Sequence, residues 1–404
     1  MTPASTTSPI EVPDEPHGHG AGAPRQLRLP LDPLLTLATI GLGICSILTL
    51  GVATREFVPG NPHYYVDRQA IYLIVGFVLM LALSRLDYSR LRRLMYPIYG
   101  ALLLSILAVL ALGHKTALGA QRAIEFPLFS FQASELGKVL LILALSAFVV
   151  SRSRRLRELD TTAKVMLAAL VPAMFVVIQP DLGSGLVYMA IAFMLLFVAG
   201  TSWRQMAGLV ALVAVSGAFM LVVAPAAGVH VIKTYQVERL TAFLHPSTDS
   251  KKQGYQQEES KVAIGAGQKT GRGVNSTQIK GSYVPEDDTD FIFAAVGEQY
   301  GFVGAALVLS LYALLIWRTL RILVMSKDLF GALVAAGVVA MLMFQVFVNV
   351  GMSVGIMPIT GVTLPLMSYG GSSVITTLLA IGLLQSIYVQ ANASQAMKGR
   401  VYRY

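Results

Sequence analysis

Cysteine is almost missing from this chain: Cys45 is the only one in 404 residues. That excludes an intrachain disulfide framework and any multi-cysteine zinc or iron–sulfur site. Charge is scarce too. Asp, Glu, Lys and Arg make up 13% of the chain, about half of the ~25% usual in soluble domains. Histidine is rare, and His17 and His19 lie in a Pro-, Ser-, Thr- and Gly-rich stretch that reads as a solvated tail, not a metal site. What remains is apolar. The AVILMFWYC set reaches 55% and mean hydropathy is +0.64. Such a chain is not disordered, is a poor candidate for a soluble enzyme, and calls for a lipid solvent. The net charge of +9 is spread in short clusters between apolar runs. No nucleic-acid-binding stripe is formed, and nucleic acid is not expected as a partner.

The pattern divides the chain into a disordered cytoplasmic tail (1–30), a membrane domain (31–391) and a short cytoplasmic C-terminal tail (392–404). The fold class expected is an all-α polytopic membrane protein with about ten transmembrane helices. Apolar runs fall at 33–53, 67–84, 96–113, 134–151, 163–179, 185–200, 206–224, 290–317, 330–352 and 362–391. With the N-terminus inside, the short inner segments carry 18 Lys and Arg against 5 in the short outer ones. The positive-inside rule therefore puts both termini in the cytoplasm. One long outer loop, 225–289, separates the seventh and eighth runs. It is too long for a simple connector, and the spacing of Ile232, Tyr235, Leu240, Phe243 and Leu244 suggests an amphipathic helix at the outer membrane surface.

Ionisable residues at membrane depth are costly and mark candidate sites. Glu135 and Lys138 share a helical face at the start of the fourth run, one turn after Gln132. They read either as a structural ion pair or as the wall of a polar cavity for a charged headgroup. Asp181, in Gln-Pro-Asp-Leu-Gly-Ser-Gly, is either a helix cap or part of a site. Glu286, Asp287, Asp288, Thr289 and Asp290 abut the eighth run. Asp290 lies at the helix start, where the helix dipole favours a carboxylate, and is a candidate general base. Glu298 lies two turns deeper on nearly the same face. The run from Gly265 to Gly273, with Lys269 and Arg272, is not a Walker motif and reads as a flexible loop more readily than as a diphosphate cradle. Between Asn349 and Ser373 the apolar pattern is broken by Gly and Pro. Broken backbone at this depth is tolerated where it lines a cavity, which would make this run, with Ser368 in it, the second cavity wall.

Five pieces occur in order between residues 119 and 373: Gly119-Ala-Gln-Arg122, Phe131 to Lys138, Gln179-Pro-Asp-Leu-Gly183, Pro285 to Phe293, and Pro365 to Ser373. Together they resemble the SEDS family (shape, elongation, division and sporulation) of bacterial membrane proteins. The Gly119–Arg122 start and Asn349-Val-Gly-Met352 look more like its RodA branch than its FtsW branch. The resemblance implies a ten-helix peptidoglycan glycosyltransferase that polymerises lipid II at the outer face of the cytoplasmic membrane, for elongation and cell shape. It implies a class B penicillin-binding protein, a transpeptidase, as partner. It also implies Asp290 as catalytic base, with Arg122, Glu135 and Lys138 at the substrate; Asp181, Glu286, Glu298 and Ser368 are expected beside them as further substrate-binding residues. No tightly bound cofactor is expected, and a divalent cation such as Mg²⁺ could assist the diphosphate. Ala123, Ala133, Asp288 and Gln299 depart from the family's usual Trp, Pro, His and Glu. A lipid II flippase and a non-catalytic scaffold for a transpeptidase stay open beside this reading.

Overall fold

Eleven helices carry the architecture of the computed structural model, which describes residues 31–55, 57–58, 60–113, 123–125, 130–155, 158–218, 253–276 and 289–401. They are α1 (Pro33–Ala53), α2 (Tyr64–Ser84), α3 (Met95–Leu112), α4 (Ala133–Ser151), α5 (Leu159–Ile178), α6 (Leu182–Val198), α7 (Trp203–Ala218), α8 (Gln253–Gly267), α9 (Ile292–Met325), α10 (Leu329–Val354) and α11 (Gly371–Val401). A two-residue hairpin, β1 (Ile124–Glu125) with β2 (Ser130–Phe131), pairs Ile124 with Phe131 just ahead of α4.

Eight of these helices are long and apolar enough to span a bilayer, α1 to α5 and α9 to α11. The sixth expected run is the 17-residue α6. The seventh is represented by the 16 residues of α7, its expected end lying outside the described residues. Local signals explain the helix ends. Asp32 caps α1 by accepting from the Leu35 amide at 2.9 Å, with Pro33 at the first turn. Asp328 caps α10 through Gly331 at 2.7 Å, and Gly355 ends it in the left-handed region. Within α1, the Thr39 and Thr49 hydroxyls donate to carbonyls one turn back at 2.7 and 2.8 Å, which hides them from the apolar surroundings.

α4 and α10 form the centre, 83% and 78% buried over their apolar windows, against 17% for the α3 window. α4 packs on α3, α6 and α10; α2 lies along α11, and α1 along α9. At one end, Asp32 forms an ion pair with Arg318 of α9 and donates its amide to Gln385 of α11 at 2.8 Å. This end also carries Arg85, Arg92, Arg152, Arg154, Arg321 and Lys327 at or near helix termini. The opposite end gathers the N-termini of α2, α4, α6, α9 and α11.

Two helix ends differ from expectation, and the long loop has structure of its own. The tenth run was expected at 362–391, but its helix begins only at Gly371, because Pro358, Gly361, Pro365 and Gly370 keep 355–370 out of helix. The same helix continues through Val401, into what was read as a C-terminal tail. The long loop contains α8, a 15-residue helix packed on α9 and α10. The amphipathic segment around 229–245 lies outside the described residues.

Candidate active site

The irregular segment 355–370 organises the end opposite the arginines. Leu366 sits at φ +66°, a strained conformation for a branched side chain that persists only when its surroundings fix it. The fixing groups come from three helices. Ser46 of α1 donates to the Met367 carbonyl at 2.8 Å. Gln69 of α2, fully buried, donates to Ser46 at 3.0 Å and to the Ser368 carbonyl at 3.2 Å. Tyr312 of α9 donates to the Pro365 carbonyl at 2.5 Å. In the dry interior each carbonyl needs such a donor.

This segment in turn holds the residues before α9. The Ser368 hydroxyl donates to the Thr289 carbonyl at 2.6 Å and accepts from the Leu364 amide at 2.8 Å. The amide nitrogen of Asn349, in α10, donates to the carbonyls of Asp290 and Val362, both at 2.8 Å. Asp290 is therefore fixed through its backbone, partly exposed, two residues before the first turn of α9.

A second group surrounds the start of α4. Lys138 and Glu135 are 1% and 4% exposed and form an ion pair at 2.6 Å. The positive charge of Lys138 is thus met inside the protein by its own helix. Asp181 caps α6, accepting from the Ser184 amide at 3.0 Å, and also accepts from Ser134 at 2.7 Å and Gln132 at 3.2 Å. Tyr188 closes the pair of helices by donating to the Ser134 carbonyl at 3.1 Å. Asp181 is therefore a cap and an α4–α6 tie at once.

The two groups meet at the start of α11. The Gln132 amide donates to the Ser372 hydroxyl at 2.9 Å, and Ser372 donates to the Ser130 carbonyl at 2.6 Å. The adjacent Ser373 shares a hydrogen bond of 3.0 Å with Thr363. One connected lattice thus runs from β2 and α4, through α11 and 355–370, to Asp290. Above it, Tyr369 stacks edge-on against Tyr65, with ring centres 4.8 Å apart. Burial, helped by Tyr72, pushes the Tyr369 hydroxyl above its usual range.

Glu298 is fully buried in the first part of α9, under α8. Its carbonyl accepts from the Arg272 amide at 2.8 Å. Gly301 breaks α9 at φ +61°, and the freed amides of Phe302 and Val303 donate to the carbonyls of Gln268 and Lys269 at 2.9 and 3.1 Å. The Gly265–Gly273 run, read as a flexible loop, is instead an ordered turn that caps this break. Arg122 and Glu286 lie outside the described residues. Sequence reading missed Ser46, Gln69, Ser372 and the clamping role of Asn349. Polar residues within apolar runs are the signal that points to them.

Chemically, the arrangement offers a partly exposed carboxylate on a rigid backbone, close to helix N-termini and an irregular, polar-lined segment. Among the described residues no three His, Cys, Asp or Glu stand together as metal ligands.

Comparison with known proteins agrees with this architecture. The family model describing FtsW, RodA and SpoVE cell-cycle proteins matches residues 31–393. A Thioalkalivibrio sulfidiphilus protein named "Probable peptidoglycan glycosyltransferase FtsW" is 36% identical over 94% of this chain and 96% of its own length. Stage V sporulation protein E of Bacillus subtilis is 30% identical over 88% of this chain and 95% of its own. Among solved structures, a chain from a peptidoglycan synthase complex, described as coordinating polymerization and crosslinking, superposes with TM-score 0.75 at 33% identity. It covers 90% of this chain and 99% of that one. The rod shape determining protein RodA of Thermus thermophilus superposes with TM-score 0.63 at 29% identity, over 89% and 97%.

Proposed function

The chain belongs to the FtsW, RodA and SpoVE family of membrane proteins, and from that premise we propose that it polymerises lipid II as a peptidoglycan glycosyltransferase. The observation that carries the reaction is the placement of Asp290: a carboxylate whose backbone is clamped by Asn349 and whose neighbour Thr289 is clamped by Ser368. An acceptor sugar hydroxyl is a poor nucleophile at neutral pH. A positioned carboxylate removes its proton as the oxygen attacks the donor's anomeric carbon. The bond from that carbon to the diphosphate breaks, and the electron pair leaves with the lipid diphosphate. Cations assist that departure, a role for Arg122 in this reading. Lys138 contributes through its pair with Glu135, which shapes the start of α4.

The arginine-rich end supports an inside orientation for both termini, and in this reading Asp290 faces the outer side of the cytoplasmic membrane. The synthase complex among the structural relatives supports a crosslinking transpeptidase as partner. The elongation role implied by resemblance to the RodA branch is not supported by the curated relatives above, which carry FtsW and sporulation names. We assign the chain to division on their strength. Depletion in its own host separates the two: filaments with blocked septa support division, and rounded cells support elongation. Polymer from lipid II, by the purified protein with its transpeptidase, tests the activity itself. Movement of lipid II between leaflets without polymer would instead favour a flippase.

A further inference from the structure

At the other end of α4 from Asp181 lies a second site of different chemistry. We propose that the cleft between the end of α4 with the residues just after it (150–155) and the 3₁₀ turn ahead of α3 (Tyr88–Leu94) binds the headgroup of an anionic phospholipid. The cleft encloses about 550 Å³ and is lined by Arg92, Arg152, Arg154 and Arg155 together with Val150 and two serines.

Three observations carry the assignment. The first is charge. Arg152 stands 3.6 Å from Asp160, which Lys164 also holds at 2.8 Å, and Arg155 stands 3.9 Å from Glu158. Arg92 and Arg154 form no ion pair among the described residues. Four guanidinium groups against Glu158 and an Asp160 that Lys164 also shares leave the cleft positive, and the planar guanidinium fork suits phosphate oxygens.

The second is depth. α4 ends at Ser151, α5 begins at Leu159 and α3 begins at Met95. The cleft therefore opens where the apolar spans give way to the interface, at the level of lipid phosphates. Arg152 is steadied there with its guanidinium 5.0 Å from the centre of the Phe148 ring.

The third is exposed apolar surface close by in the chain. Leu94 and Tyr96 follow Arg92, and Leu159 opens α5 after Arg155; they are 46%, 79% and 69% exposed. Apolar side chains at this level suit acyl chains, with a tyrosine at interfacial depth. A soluble anion would use the arginines alone, so a lipid is the occupant this surface fits.

The test uses full-length purified protein, stripped of lipid in a nonionic detergent. Phosphatidylglycerol, cardiolipin or phosphatidylcholine is added back and binding is read by native mass spectrometry. Wild type is compared with Arg92→Gln/Arg154→Gln and with a charge-matched control, Arg204→Gln/Arg321→Gln. The expected result is selective retention of the anionic lipids by wild type and control, and a loss of about tenfold or more in the cleft variant. Excess inorganic phosphate should leave the bound lipid in place. Wild-type retention by the cleft variant, or an equal loss in the control, overturns the proposal. Displacement by inorganic phosphate overturns the lipid in favour of a soluble anion. Thermal unfolding is followed for each protein, and the single variants Arg92→Gln and Arg154→Gln carry the test if the double one does not fold. The readout is lipid binding, so it stands or falls separately from the polymerase reading.

Discussion

Asn349 holds the backbone of Asp290. Its side-chain amide nitrogen reaches the carbonyls of Asp290 and Val362, both at 2.8 Å, and so ties the start of α9 to the irregular segment 355–370 across the body of α10. The link positions the carboxylate without touching it.

Replacing Asn349 with Leu keeps the branched shape and removes both donors. Each abandoned carbonyl costs about 1–3 kcal/mol in a dry interior. Polymerisation should fall by about tenfold or more while the protein still inserts in membranes, because a reacting group displaced by an ångström loses roughly that much or more. A rate assay beside a thermal unfolding scan checks this. An unchanged rate would remove Asn349 from the positioning of Asp290.

The Glu135–Lys138 pair separates structure from chemistry. Both groups are buried and 2.6 Å apart. Lys138→Met leaves an unpaired carboxylate and should destabilise by about 3–5 kcal/mol, whereas Glu135→Leu/Lys138→Met should recover most of that loss. The melting temperatures of the three proteins give the stability ranking. If the double variant is stable and inactive, the pair serves the substrate as well as the fold.

Gly301 is the hinge on which α8 rests. Its φ of +61° is open to glycine, and a Cβ there would come within about 2.7 Å of the Lys269 carbonyl carbon. Gly301→Ala should cost about 1–3 kcal/mol and loosen the turn at 267–272. Faster amide exchange at Gly271 and Arg272 is the expected signature. Unchanged exchange would show that the turn does not depend on this break.

Much of the membrane architecture was legible in the sequence, because length and hydropathy determine what can cross a bilayer. The starts of α1, α4 and α10 fall within a residue of their expected positions, marked by Asp32-Pro33, the Ser134-Glu135 start and Asp328. What escaped was partnership across the chain. Gln69 meets Ser368 across 299 residues and Ser46 meets Met367 across 321, distances over which periodicity carries no information. α8 escaped for another reason: its polar composition gives no span signal, and packing on α9 and α10 stabilises it as a helix. Asp290 could be read as a candidate because it ends an acidic run beside an apolar helix. Its rigidity could not be read, since that depends on Asn349 and Ser368, about 60 and 80 residues further on.

The most direct test compares wild type with Asp290→Ala and Asp290→Asn, each purified with its partner transpeptidase and given lipid II. Wild type is expected to make glycan polymer. Both variants should fold, retain the partner and lose activity by at least about 10²-fold, the contribution of a positioned base. Polymer at the wild-type rate from a folded Asp290→Ala protein would contradict the assignment of Asp290 as the base.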